Sequence, residues 1–382
     1  MLPLAGSIEQ PITCRLFIPT TGHFTQRISA LEGGRAPCMA IARLANRRKL
    51  NQSIAMKHYL LLGAGFSRNW GGWLASEVFE YLLGRPEVVD NEELRRILWD
   101  SQPRGGFEYA LEALQARHHT RDNTGTACLE ALQAAVIAMF NDMNEGFNGI
   151  DDWEFSNKMD SQIATFLTKF EAIFTLNQDL LIEKHYLSAT PELRRKDRWD
   201  GVAMPGLVPK GSGFASIVGQ RWQVQKEDAF RLEGRIQPYI KLHGSTNWDA
   251  PDGSSTLIVG GNKSGAIGSA PILSWYYSEF ERAMFEGDAR LMVIGYGFRD
   301  EHINATLIKA VVRCGLKLFI VTPAGADQAR QVNPSAGGAI KARSALEDTF
   351  ERGVIGASQR GLREIFGGNG LELAKLERFF AE

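Results

Sequence analysis

The strongest constraint on the fold is a recurring pattern in which a short apolar run stops on glycine or a small polar residue and a stretch of helical period follows. His58-Tyr59-Leu60-Leu61-Leu62 ends in Gly63-Ala64-Gly65-Phe66-Ser67, and a helical spacing begins near Trp73 with Leu74, Val78, Phe79 and Leu82. Ala172-Ile173-Phe174-Thr175 leads into Asn177-Gln178-Asp179 and a helix through Tyr186. Tyr239–Leu242 stops at His243-Gly244-Ser245, and Leu291–Ile294 stops at Gly295-Tyr296-Gly297. A further run, Leu316–Val321, follows a helix over about 301–313. Strands alternating with helices imply a mainly parallel sheet with right-handed crossovers and helices on both faces.

Two inserts interrupt that alternation. Residues 92–170 are helical in period throughout, through Leu94, Ile97 and Leu98, then Tyr109–Leu114, Leu129–Phe140 and Ile163–Phe170. Residues 187–237 are rich in glycine, proline and charge and show no clear period, which predicts a loop-rich insert. The segment 357–382 is expected to be helical and to dock through Leu362, Ile365, Leu371, Leu373 and Leu376. Residues 1–55 lack a sustained apolar period and end in Arg43, Arg47, Arg48 and Lys49. They read as a flexible basic tail, a transit peptide or an upstream extension from a mis-assigned start. The last is favoured because Met56-Lys57 opens directly into a strand. The expected domain is then 56–382.

The 382 residues are 44% hydrophobic, enough for a sizeable core. Residues 1–55 hold seven basic and two acidic residues of a chain with net charge −1, which leaves −6 for 56–382 and no general attraction for nucleic acid. The longest apolar stretches, 58–62 and 291–295, fall far short of the roughly 20 residues of a membrane-spanning helix. Cys14, Cys38, Cys128 and Cys314 are scattered with no C-x-x-C pair, so neither a structural metal nor a disulfide framework is expected. A reducing cytoplasm fits.

In open parallel sheets ligands bind at the carboxyl ends of the strands, and that is where the polar residues collect. Gly63-Ala64-Gly65-Phe66-Ser67 stands where a doubly wound, Rossmann-like fold places a phosphate-binding turn, with Ser67 as a further hydroxyl donor. A plain strand-to-helix turn accounts for the same residues. Asn177 and Asp179 follow a buried-looking strand; Asp179 also suits the cap of the helix over 180–186. His243 at a strand end can reach a ligand and titrate near neutral pH. The other histidines suit bland roles, His302 as a helix cap among them. Gly295-Tyr296-Gly297-Phe298-Arg299-Asp300 forms a second glycine turn, with Asp300 and Glu301 suited to the first turn of a helix.

Taken in order, G-A-G-x-S, N-x-D, H-G-S and G-x-G resemble the layout of the sirtuins, and specifically the bacterial sirtuin-like proteins that hydrolyse NAD. The resemblance covers about 57–325. It implies that Gly63, Ala64, Gly65, Phe66 and Ser67 hold the pyrophosphate, Asn177 and Asp179 address the nicotinamide ribose, and His243 is catalytic. Gly295 and Tyr296 would lie beside the adenosine half, with Thr322 near its ribose.

Protein-deacylating sirtuins carry a four-cysteine zinc module and an F-G-E segment after the histidine, whereas Thr246–Arg290 has neither. Leu176 stands where they have glutamine, and Asn69-Trp70-Gly71-Gly72-Trp73 where they have P-D-F-R. The long inserts resemble those of bacterial defence proteins that starve an infected cell of NAD. The expected activity is therefore NAD hydrolysis to nicotinamide and ADP-ribose, without a metal, by a regulated cytoplasmic effector. An activating protein, a phage-derived trigger or self-assembly would switch it on. The alternatives are an NAD-dependent deacylase or ADP-ribosyltransferase, and a silent NAD or ADP-ribose sensor.

Overall fold

Lys57–Leu62 forms β1, the strand around which the largest sheet is organised. Leu60, Leu61 and Leu62 are wholly buried, each worth about 2 kcal/mol relative to exposure. The computed structural model describes residues 56–119, 123–187, 198–210, 220–252, 255–257, 263–332 and 343–381. The segment 1–55 lies outside the described residues.

β1 is flanked by β2 (Ala172–Thr175) on one side and β9 (Ala289–Ile294) on the other. Beyond β2 come β6 (Ile236–Lys241) and β3 (Gly201–Ala203); beyond β9 come β10 (Lys317–Val321) and β11 (Val354–Ser358). All pairings in this seven-stranded sheet are parallel. With β3 set aside, the strands run 3-2-1-4-5-6 in chain order, the doubly wound Rossmann-like arrangement, whose order reverses between β1 and β9. β2 is buried at every position and β9 and β10 nearly so, as strands covered on both faces must be.

Helices Pro271–Met284, Glu301–Cys314 and Ala345–Gly353 cross between strands on the β6 to β11 side. The last starts on a capping box, with Ser344 and Glu347 each bonding the other's backbone amide. Between β1 and β2 the chain forms helices Ala75–Leu83, Glu92–Ser101, Phe107–His119 and Asn123–Asn148, followed by Ile163–Leu167. The long helix reaches the sheet edge: Leu180 N donates to Asn144 Oδ1 (2.9 Å) and Lys184 Nζ to Asn148 O (2.7 Å).

Several elements differ from expectation. The glycine turn runs straight into a one-turn helix, Ala64–Ser67, ahead of the helix read from Trp73. Residues 187–237 contain β3, β4 (Leu207–Lys210) and β5 (Arg221–Val224) where no period was legible. β4 and β5 join β7 (Gly244–Asp249) and β8 (Ser255–Leu257) in a second, four-stranded sheet. The C-terminal segment opens with β11 and only then forms helices Leu362–Phe366 and Gly370–Glu377. Leu362, Ile365 and Leu376 are buried there, but Leu371 is 87% exposed because it falls on the outer face of its helix.

Candidate active site

The sheet ladder continues past each strand's last residue, which sets the site's spacing. Leu242 N donates to Thr175 O, Leu176 N to Leu62 O, Gly63 N to Ile294 O, Gly295 N to Val321 O and Thr322 N to Ser358 O, all at 2.8–3.1 Å. His243, Asn177, Gly63, Gly295 and Thr322 therefore leave adjacent strand ends in that order. Four strand spacings separate first from last, about 19 Å. This carboxyl edge, centred on the order reversal, is where such sheets bind ligand.

On the β2 side the polar groups bond one another. Ser67 Oγ donates to Asp179 Oδ2 (2.8 Å) and accepts from Asn177 Nδ2 (3.0 Å), and Asn177 N donates to Thr175 Oγ1 (3.0 Å). Asp179 Oδ1 accepts from Leu181 N (3.1 Å), so the carboxylate also caps the turn that follows it. All three side chains are buried. Ser67, read as a phosphate donor, thus spends its proton inside the protein and joins the two residues expected to address the ribose.

Beneath them lies an ion pair without solvent contact. Lys241 Nζ donates to Glu183 Oε1 (2.5 Å) and to the backbone oxygen of Asp179 (2.6 Å), while Tyr239 Oη donates to Glu183 Oε2 (3.1 Å). Glu183 opens a π-helical turn, Glu183–Leu187, a local widening often found at functional sites. Burial pushes the Asp179 carboxyl above the ordinary carboxylate range, while the Lys241 ammonium and the bonds from Leu181 and Ser67 pull the other way. Burial also raises Glu183, against the pull of Lys241.

His243 is 2% exposed and sits at the junction of the two sheets, where Gly244 turns the chain with φ 73°. Its Nε2 lies 3.4 Å from Nε2 of His302, with ring centroids 5.5 Å apart. His302 is the second residue of helix Glu301–Cys314 and does not cap it. The N-cap position belongs to Asp300, whose side chain makes no capping bond. Ser245 continues the contact by donating toward Gln178 O (3.4 Å).

The two glycine turns lock into each other. Gly65 N donates to Gly295 O (2.9 Å), and a Cβ on Gly295, whose φ is 69°, would stand 2.2 Å from Phe66 N. A Cβ on Gly63 or Gly65 would meet the backbone of Gly295 and Tyr296 at 2.6–2.7 Å. These glycines are required by contact between the turns, whatever ligand they meet. Of the amides from Gly63 to Phe66, three are committed internally: Gly63 to Ile294 O, Gly65 to Gly295 O and Phe66 to Gly63 O. Tyr296 is buried and holds its own turn, its Oη donating to Asn304 Oδ1 (3.1 Å) and accepting from Asp300 N (3.0 Å). Thr322 Oγ1 is buried without a hydrogen-bond partner among the described residues.

The structure thus brings Ser67, Asn177 and Asp179 together, sets His243 one strand end away, and leaves Gly295, Tyr296 and Thr322 across the order reversal. Sequence reading did not find Lys241 with Glu183, nor His302. A lysine at a buried strand position was the one available signal for the first. A cavity of about 150 Å³ lies at the opposite, amino ends of the strands, lined by Lys57, Tyr59, Phe174 and Arg282 among others; it is small for a nucleotide. Among the described residues, no group of three or more His, Cys, Asp or Glu is arranged to hold a metal, and no helix is long and apolar enough to cross a membrane. No protein-family model matches the chain, and no curated protein matches it.

Proposed function

We propose that this protein cleaves NAD at the bond between nicotinamide and ribose, giving nicotinamide and ADP-ribose. The observation that carries this reading is the buried Ser67–Asn177–Asp179 triangle one strand end from His243, at the order reversal of a Rossmann-like sheet. In the reaction the glycosidic C–N bond breaks and its electron pair returns to the pyridinium nitrogen, so the leaving group departs neutral. Water supplies the new C–O bond, and its proton passes to His243.

Each residue has a task set by its bonds. Asn177 gives its NH2 to Ser67, which leaves Oδ1 as the acceptor for a ribose hydroxyl or the attacking water. Asp179 holds Ser67 and, through its backbone oxygen on Lys241, is fixed to the core. The buried Thr322 hydroxyl lacks an internal partner and suits a ribose hydroxyl of the adenosine half. The Ala64 amide and the turn around it would face the pyrophosphate.

In this reading the protein acts in the cytoplasm as a defence effector. The helical insert receives the trigger, from an activating protein, a phage component or a second copy of the chain. Support comes from Asn144, by which the insert's long helix bonds Leu180 directly beside Asp179. The test is NAD loss and nicotinamide release by purified protein, alone and with extract of infected cells. His243→Ala and Asn177→Ala are expected to lower turnover by ~10²–10⁴-fold while the protein remains folded. Wild-type turnover in His243→Ala would refute the site. Nucleotide binding with no turnover under either condition would replace the enzyme by a sensor.

A further inference from the structure

The contact between His243 and His302 joins Nε2 to Nε2, and a neutral imidazole has one N–H and one lone pair. Two such nitrogens 3.4 Å apart bond only when one of them carries the proton. The two rings are therefore chemically unequal, and the tautomer of each sets that of the other. His302 comes from helix Glu301–Cys314, just beyond the second glycine turn, and His243 from the end of β6, so the contact spans the order reversal of the sheet.

His302 is itself held. Tyr277, on the facing helix Pro271–Met284, packs its ring 5.8 Å from the imidazole, and its Oη lies 3.0 Å from His302 O and 2.7 Å from Thr306 Oγ1. These contacts fix the first turn of the helix from which His302 projects. His243 is nearly fully buried while His302 is half-buried, so the pair runs from the interior of the site outward.

We propose that His302 is a positioning residue for His243, setting its tautomer and ring orientation and accepting a hydrogen bond from its Nε2 once His243 is protonated. An imidazolium carries N–H on both nitrogens, so protonated His243 must donate toward His302, and neutral His302 has the lone pair to receive it. Such a charge-assisted bond is roughly twice as strong as the neutral one, so the pair favours the state formed when His243 takes up the reaction's proton. The arrangement does with a second imidazole what the carboxylate does in a Ser-His-Asp triad. The inference rests on the NAD-cleaving reading for its kinetic consequence but not for the existence of the pair.

Two measurements separate these. In steady-state kinetics His302→Ala is expected to lower kcat for NAD by ~10–100-fold with KM within about threefold, the loss of an orienting bond. His302→Gln, whose amide oxygen can still accept from His243, should recover most of the loss. A kcat in His302→Ala equal to wild type, or a Gln variant as impaired as the Ala variant, overturns the proposal while leaving NAD cleavage intact. Wild-type protein that never cleaves NAD refutes the functional reading instead, and the pair is then judged by nitrogen NMR of histidine-labelled protein. The expected spectrum has one ring protonated on Nε2 and its neighbour not, with the His243 nitrogens shifting on His302→Ala. Unchanged His243 nitrogen shifts in that variant overturn the proposal.

Discussion

The two flanks of the order reversal are built differently. On the β2 and β6 side, Ser67, Asn177, Asp179, Lys241, Glu183 and Tyr239 form one continuous network in which each side chain bonds a neighbour. On the β9 and β10 side the packing is aromatic, with Tyr296 and Phe298 at a centroid distance of 4.7 Å and Phe298 against Phe350 at 4.9 Å, and Thr322 leaves a buried hydroxyl without a partner among the described residues. A flank whose groups satisfy one another holds them rigid and pre-oriented, as bond-breaking chemistry requires. A flank with an unanswered hydroxyl pays a desolvation cost that only a ligand or water relieves.

The sharpest way to break this contrast is Lys241→Met, which removes the cation and leaves Glu183 buried and unpaired. The expected loss is about 3–5 kcal/mol of unfolding free energy in denaturant titrations. The double variant Lys241→Met with Glu183→Gln should recover much of it, since the stranded charge is gone. A loss below about 1 kcal/mol for the single variant would show that the network is no more costly to disturb than the surface.

A second test asks whether acid acts at this edge or elsewhere. His58 begins at the opposite end of β1 and packs on Phe379 and Phe380, with ring centroids at 5.2 Å. Burial, with the nearby Arg290 charge, lowers its pKa from 6.5 to about 4. The unfolded chain therefore binds a proton that the folded chain refuses. The His58 contribution is complete above pH 6.5 and is lost as pH falls toward about 4, amounting to about 3 kcal/mol. His58→Phe should flatten this part of the profile. An equal acid loss in that variant would move the sensitivity to another group.

The smallest effect is expected on the aromatic flank. Thr322→Val removes a buried hydroxyl that has no partner among the described residues, so its desolvation cost is relieved and stability should rise, by about 1 kcal/mol. Calorimetric titration with ADP-ribose should nonetheless show weaker binding. Unaltered affinity would leave the hydroxyl unexplained and remove the main asymmetry between the flanks.

What the sequence discloses follows the same division between continuous and assembled features. β1, β2, β9 and β10 are legible within a residue or two because strands covered on both faces must be apolar along their whole length. β5, Arg221-Trp222-Gln223-Val224, alternates polar and apolar residues over only four positions, and β7, Gly244–Asp249, mixes them without a period, so neither stands out. β11, Val354-Ile355-Gly356-Ala357-Ser358, is too weakly apolar to stand out; there Gly356 makes room for the Phe319 ring of β10. At the site, each strand-end motif can be read locally, but the bonds between motifs cannot. Ser67 meets residues 110 and 112 positions away, and His302 meets one 59 positions back. A first-turn histidine carries the same local signature whether it caps its helix or faces a second imidazole.

The interlock of the glycine turns has a consequence for how the molecule comes into being. Gly65 and Gly295 are bonded to each other across some 230 residues of chain. Contacts of such long sequence separation form late, because the entropy of closing the intervening loop must be overcome first. During synthesis, β1 and its turn emerge before β9 and must wait, without their partner surface, until the whole of β9 has left the ribosome. The interlocked turns at the order reversal are then completed only after β9 exists, and an incomplete chain carries the first motif without the surface it locks into.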